Sequence, residues 1–100
     1  MTGYDIDGVL TRNDIAWDLQ DAVVISGRTF AEYDDLARRA AQLCPVYIRG
    51  VGIYGDRMHA GNFKAETIRR LGVDRFYEDD PLQATIVRNA VPSCEVVEVK

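Results

Sequence analysis

The sequence predicts an α/β fold built on a parallel sheet, and three observations carry that expectation. Short apolar runs alternate with helical patterns from end to end, the arrangement of stacked βα units. The run Ala22-Val23-Val24-Ile25 is apolar at every position, as in a strand covered by helices on both faces, and so belongs at the sheet centre. A chain of 100 residues with 47% hydrophobic content can fill one core and not two, so residues 1–100 read as a single domain.

Taken in order, the first strand is expected near Gly3 to Ile6, with Gly8 letting the chain turn after it. A short helical turn between Asp14 and Leu19 follows, with Trp17 as a core plug. The second strand runs from Ala22 to Ser26. A helix starts after Thr29, where Thr29-Phe30-Ala31-Glu32 forms a capping box, and carries Phe30, Tyr33, Leu36, Ala37, Ala40 and Leu43 on one stripe until Pro45. Strand three spans Pro45 to Arg49, and a second helix spans about Asn62 to Leu71 with Phe63, Ile68 and Leu71 inward and Gly72 as a left-handed cap. Strand four covers Arg75 to Asp79. A third helix begins at Pro81, favoured at a first helical position, with Leu82, Ile86, Val87 and Ala90 inward and Pro92 beyond its end; strand five covers Cys94 to Val99.

The net charge of −4 argues against a surface built wholly to match a polyanion. Ten of the twelve cations are arginines, which makes Lys64 the one lysine within the body of the chain. Cys44 and Cys94 lie far apart with no Cys-x-x-Cys or Cys/His pairing, so they read as buried free thiols of a reducing cytoplasm. No signal-peptide pattern and no apolar stretch of roughly 20 residues is present, which leads to the expectation of a soluble, cytoplasmic protein without a membrane partner.

Chemistry gathers at four spots: Asp5 and Asp7 after strand one, Ser26-Gly27-Arg28 after strand two, Lys64 at a helix start, and Glu78-Asp79-Asp80 after strand four. In a parallel sheet the carboxyl ends of the strands share one edge, so these spots should converge there. Side chains alternate along a strand, so Asp5 and Asp7 would share a side if the strand ran through both. Two carboxylates held close repel unless a cation or a shared proton compensates. Acids, a hydroxyl, the N–H groups of a glycine turn and cations together suit Mg2+ and a phosphoryl group, because magnesium takes hard oxygen ligands and phosphate takes N–H donors.

With those residues assembled, the chain resembles the haloacid dehalogenase-like hydrolase superfamily, and most of all its small, capless phosphatases. The first family motif matches Asp5-Ile6-Asp7-Gly8-Val9, and the second matches Val23-Val24-Ile25-Ser26-Gly27-Arg28. Lys64 stands where the third is expected in order, and Phe76-Tyr77-Glu78-Asp79-Asp80 matches the fourth. The resemblance implies a three-layer α/β/α sandwich, Rossmann-like, with strand order 3-2-1-4-5. It implies that Asp5 is a nucleophile forming an aspartyl-phosphate, while Asp7 protonates the leaving oxygen and then activates water. It also implies that Ser26 and Lys64 hold phosphoryl oxygens, and that Asp5, the Asp7 backbone carbonyl and Asp79 ligate magnesium, with Glu78 as a further metal candidate. Family ATPases carry threonine in place of Asp7 and the dehalogenases lack a second acid, so phosphatase chemistry is favoured.

The acid pair of the fourth motif reads in two frames, Glu78 with Asp79 or Asp79 with Asp80. Asp80-Pro81-Leu82-Gln83 looks like an N-cap acid, a first-turn proline and a capping-box glutamine, a structural role of about 0.5–2 kcal/mol that favours Glu78 as the companion of Asp79. Bland alternatives stand beside the functional ones: Ser26 capping the next loop, Lys64 as a solvated first-turn residue, Arg28 on the surface. His59 reads as an exposed loop residue, and the pairs Arg38-Arg39 and Arg69-Arg70 as wet helix faces.

Neither the stretch from Gly8 to Ala22 nor that from Gly50 to Asn62 is long enough to form a cap domain. The resemblance then implies an open site, suited to a bulky phosphorylated substrate such as a nucleic-acid end or a phosphoprotein, or closed by another subunit. A nucleic-acid end finds no support in the net charge or in any basic-aromatic interleaving. Gly27, Arg28 and Arg57 are the substrate-contact candidates. Tyr54, Met58 and His59 lie in the same mobile-looking stretch as Arg57, and Arg49 could add to a positive mouth. The rival class is a non-catalytic module, either of the same superfamily or receiver-like, that binds a protein partner.

Overall fold

The computed structural model describes residues 1–12, 18–52 and 55–100. Five strands, β1 (Thr2–Tyr4), β2 (Ala22–Thr29), β3 (Val46–Gly50), β4 (Arg75–Glu78) and β5 (Glu95–Glu98), form one sheet in the order β3-β2-β1-β4-β5. Every pairing is parallel, so the predicted order 3-2-1-4-5 and the α/β class are both observed. The helices are α1 (Asp35–Leu43), α2 (Arg57–Leu71) and α3 (Pro81–Ala90). Val23 and Ile25 face α2 and α3, sharing a core with Ala65, Ile68, Phe76, Ala84 and Val87. Val24 faces the other way, against Ile6 and against Ala37 and Ala40 of α1. That two-sided burial is why β2 is apolar throughout, although β1 and not β2 is the middle strand. Tyr4 and Tyr77, paired in register across β1 and β4, stack with centroids 5.1 Å apart.

Four expectations need correction. The Thr29 box exists, with Glu32 Oε1 accepting from Thr29 N at 3.0 Å, but it closes a short 3-10 turn over Phe30–Glu32. Helix α1 starts five residues later than the box implies, where the Asp34 carboxylate caps Ala37 N at 3.1 Å. Two ends of the expected stripe, Phe30 and Leu43, are consequently 70% exposed. Helix α2 begins at Arg57 rather than about Asn62, because Asp56 accepts from His59 N and caps it earlier, which puts Lys64 in the middle of the helix and not at its start. β1 stops at Tyr4 instead of Ile6, and residues 6–10 form a wide turn closed by Thr11 N donating to Ile6 O at 3.2 Å. The expected helical turn at Asp14 to Leu19 and Trp17 within it lie outside the described residues, save Asp18 and Leu19. Helix α3 and the Gly72 cap, at φ 71°, are as expected, and both cysteines are buried and free.

Candidate functional site

A cleft of about 430 Å³ opens at the carboxyl edge of the sheet, between the ends of β1, β2 and β4 and the first turns of α2 and α3. Its formation depends on two glycines. A Cβ on Gly27 would stand 2.6 Å from Ala60 Cβ, so glycine alone lets α2 pack this closely against β2 and carry Lys64 to the sheet edge. Gly8 turns the chain at φ 76°, and a Cβ there would meet Asp79 Oδ2 at 1.9 Å. The first glycine is thus a packing residue that also lines the cleft, while the second makes room for a carboxylate.

Asp5 follows β1 in extended conformation, with its N–H donating to Tyr77 O at 3.1 Å, and its side chain points inward. The turn after it sends Asp7 the other way, so the two acids do not share a face: Asp5 is buried and the Asp7 side chain is 64% exposed. Asp5, Glu78 and Asp79 each offer a carboxylate oxygen within 4.8 Å of the others. The Lys64 ammonium lies against two of them, 2.7 Å from Glu78 Oε1 and 3.2 Å from Asp5 Oδ1, and donates to Gln83 Oε1 at 2.5 Å. Glu78 Oε2 accepts from Asp79 N at 3.1 Å and Asp80 N at 3.3 Å, so this residue shapes the loop that presents Asp79.

Burial pushes the Asp5 carboxyl well above its usual range; Lys64 pulls it back and Glu78 pushes it further up. Burial opposes the charge on Lys64, yet Asp5 and Glu78 outweigh it and raise the ammonium above its ordinary value. Asp79 is raised by burial and then by the Glu78 charge. Asp5 and Glu78 are therefore held together by one ammonium, with Asp79 beside them.

The other sequence candidates are placed as follows. Arg28 is buried and forks onto Asp7, with Nε 3.1 Å from Oδ2 and Nη2 2.9 Å from Oδ1, while Nη1 reaches Asp34 at 2.7 Å and Glu32 O at 3.0 Å. It is thus neither a surface residue nor a free anion receptor. Ser26 is fully buried, its Oγ accepts from Arg28 N at 3.2 Å, and it is not part of the cleft wall. Arg57 stands on the rim and forks onto Asp80, at 2.8 and 2.6 Å. Arg49 Nε donates to Gly27 O at 3.0 Å. Asp80 caps α3 through Leu82 N at 2.9 Å as expected, but the proposed capping-box glutamine does not reach the backbone: Gln83 Nε2 donates to the Asp80 side chain at 3.2 Å. His59 is exposed beside Asp56 but lies in the first turn of α2 and not in a loop, and Tyr54 lies outside the described residues. Sequence reading missed Gln83 and Asp34 as parts of this network; Asp34 was legible as an alternative N-cap, whereas Gln83 depends on a contact 19 residues away.

Comparison with protein-family models, with curated proteins and with solved structures gave no match for this chain.

Proposed function

We propose that this chain is a magnesium-dependent phosphomonoester hydrolase of the haloacid dehalogenase-like type, working through an aspartyl-phosphate on Asp5. The observation that carries the reading is the convergence of Asp5, Glu78 and Asp79 within 4.8 Å, with Lys64 against the first two. Three carboxylates and one ammonium leave an excess charge that a divalent cation would balance, and an all-oxygen donor set suits a hard one. The whole wall supports the same balance: seven carboxylates face four cations, and each of those cations already meets a protein oxygen. A phosphate dianion would be repelled from such a cleft unless a cation were bound there. The residues present therefore fit magnesium, with Asp5, Asp79 and the Asp7 carbonyl to hold it and Glu78 beside them. Bound there, it would offset charge on the phosphoryl oxygens.

In this mechanism an Asp5 carboxylate oxygen bonds to phosphorus as the bond to the leaving oxygen breaks, and Asp7 acts as the acid that gives that oxygen its proton. Asp7 then takes a proton from the water that attacks phosphorus and releases Asp5. To do either, Asp7 leaves the Arg28 fork, and the adjacent glycine at φ 76° gives the turn that freedom. Lys64 orients the nucleophile. With all three of its N–H groups engaged it is not free to take phosphoryl oxygens as well, which departs from the role the resemblance implies. The open cleft suits a macromolecular phosphate ester.

The same engagement of Lys64, and the burial of Ser26 away from the cleft, favour a second reading, a non-catalytic module that binds a protein partner. Phosphate release from a panel of aryl, nucleotide-end and phosphopeptide substrates, with magnesium and with chelator, separates the two. Turnover that needs magnesium and vanishes in folded Asp5→Asn supports the hydrolase; silence on every substrate, or equal turnover in Asp5→Asn, removes it.

A further inference from the structure

By sequence pattern Gln83 belongs to a helix cap, yet its buried amide sits between two groups of fixed polarity. An ammonium only donates and an ionised carboxylate only accepts, so an amide between them has one workable orientation. Gln83 adopts it: Oε1 accepts from Lys64 Nζ at 2.5 Å and Nε2 donates to Asp80 Oδ2 at 3.2 Å. The Asp80 end is itself pinned, by the Arg57 fork and by Leu82 N. A continuous polar chain thus runs from Arg57 on the rim, through Asp80 and Gln83, to Lys64 and Asp5 in the interior.

Lysine has a flexible four-carbon stem and three donors. Asp5 and Glu78 satisfy two of them, and at 3% exposure Lys64 offers almost no surface to solvent for the third. A buried donor left unpaired is costly enough to draw the ammonium towards another acceptor and off Asp5. We propose that Gln83 is a positioning residue: as third acceptor it holds the Lys64 ammonium against Asp5 and Glu78, and thereby fixes the orientation of the Asp5 carboxylate. The consequence for turnover rests on the hydrolase reading; the clamp does not.

The chain has only two lysines, Lys64 and the exposed Lys100, so lysine labelled with nitrogen-15 reports the clamp directly. The Lys64 ammonium gives a resolved, slowly exchanging signal in the wild-type chain. Gln83→Met, near in volume but without either hydrogen bond, accelerates its proton exchange at least tenfold, while Gln83→Glu, made together with Asp80→Asn so that the new carboxylate still meets a donor, keeps an acceptor for Lys64 and keeps the slow signal. With 4-nitrophenyl phosphate and magnesium, Gln83→Met lowers kcat about tenfold with KM within twofold, and the double variant recovers most of it. Unchanged Lys64 exchange in folded Gln83→Met overturns the proposal, as does rapid exchange in the double variant, which decides the matter should the methionine variant not fold. A rise in KM at constant kcat also overturns it, since that marks a substrate contact. If the wild-type chain releases no phosphate, the hydrolase reading fails while the ammonium signal still tests the clamp.

Discussion

Replacing Lys64 with methionine removes the charge between Asp5 and Glu78 and keeps most of the volume. At the observed separations of 3.2 and 2.7 Å, the two attractions amount to about 5 and about 6 kcal/mol at an effective dielectric of about 20. Desolvation of the buried ammonium offsets several kcal/mol of that, and breaking a buried pair by deleting one partner costs about 3–5 kcal/mol. For a domain of this size the whole stability is about 5–15 kcal/mol. A melting temperature moves about 4–8 °C per kcal/mol, so the variant should melt about 12–40 °C lower. Urea and thermal unfolding at pH 8 and pH 5 measure the loss. Its pH dependence has a definite sign. Lys64 lowers the Asp5 carboxyl, which burial has already raised, so deleting it raises that group further. The folded chain then holds a proton that the unfolded chain releases, and the penalty is full above the folded-state value and fades as pH falls towards the unfolded one, 3.8. Lys64→Met with Glu78→Gln should regain part of the loss. A cost under about 1 kcal/mol, outside the range for a buried pair, or one that grows on acidification, would refute the charge argument.

Gly8→Ala should cost at least about 1–2 kcal/mol for a side chain in the left-handed region, and more because its Cβ would displace the Asp79 carboxylate. If magnesium binds as proposed, a hundredfold excess over Kd raises stability by about 2.7 kcal/mol, and the same variant should lose that rise; an undiminished rise would remove Asp79 from the metal reading. The Arg57 fork holds the Asp80 carboxyl down to about 2, so it contributes stability above the unfolded-state value of 3.8 that is lost as pH falls through 2. Arg57 is well exposed, so solvent screens that contribution to a small one; Arg57→Ala should flatten the acid limb of a stability titration, and an unchanged limb would contradict it. Burial raises both cysteine thiols, so a thiol reagent at pH 7 should react slowly until urea unfolds the chain, and rapid reaction of the native protein would contradict their burial.

The sheet was legible because each strand carries a local signal: apolar runs bounded by Gly, Pro and acids, with β2 apolar on both faces. Helix starts were harder, since Thr29, Asp34 and Asp56 are all acceptable caps by residue type. At Thr29 the box forms, but Tyr33 leaves the helical region at φ −79° and ψ 89°, so only a single turn follows and Asp34 then starts α1. Convergence of Asp5, Glu78 and Asp79 followed from topology alone, because strand ends in a parallel sheet share an edge, whereas Lys64 reaches them from the middle of α2. Side-chain partners did not. Whether Arg28 faces solvent, substrate or Asp7 depends on the turn at Gly8 and on Asp34 from the following helix, and no local pattern encodes that pairing.

A buried ammonium among acids is an expensive way to stabilise a domain, since well-packed apolar residues of similar volume are often as good or better. Here the arrangement needs Gly27 to bring α2 close, Glu78 to fold the β4 to α3 loop onto both of its backbone N–H groups, and Gln83 to close the third side of Lys64. Gly27 and Gln83 set Lys64 against Asp5, while Glu78 meets the same ammonium and holds the loop that presents Asp79. On the hydrolase reading, Asp5 is oriented through Lys64 and its charge partly compensated before a substrate arrives, which is the condition under which fixed charges lower a barrier instead of reorganising during the reaction. A domain held together only by its core would gain nothing from that orientation, whereas a nucleophile gains rate from it.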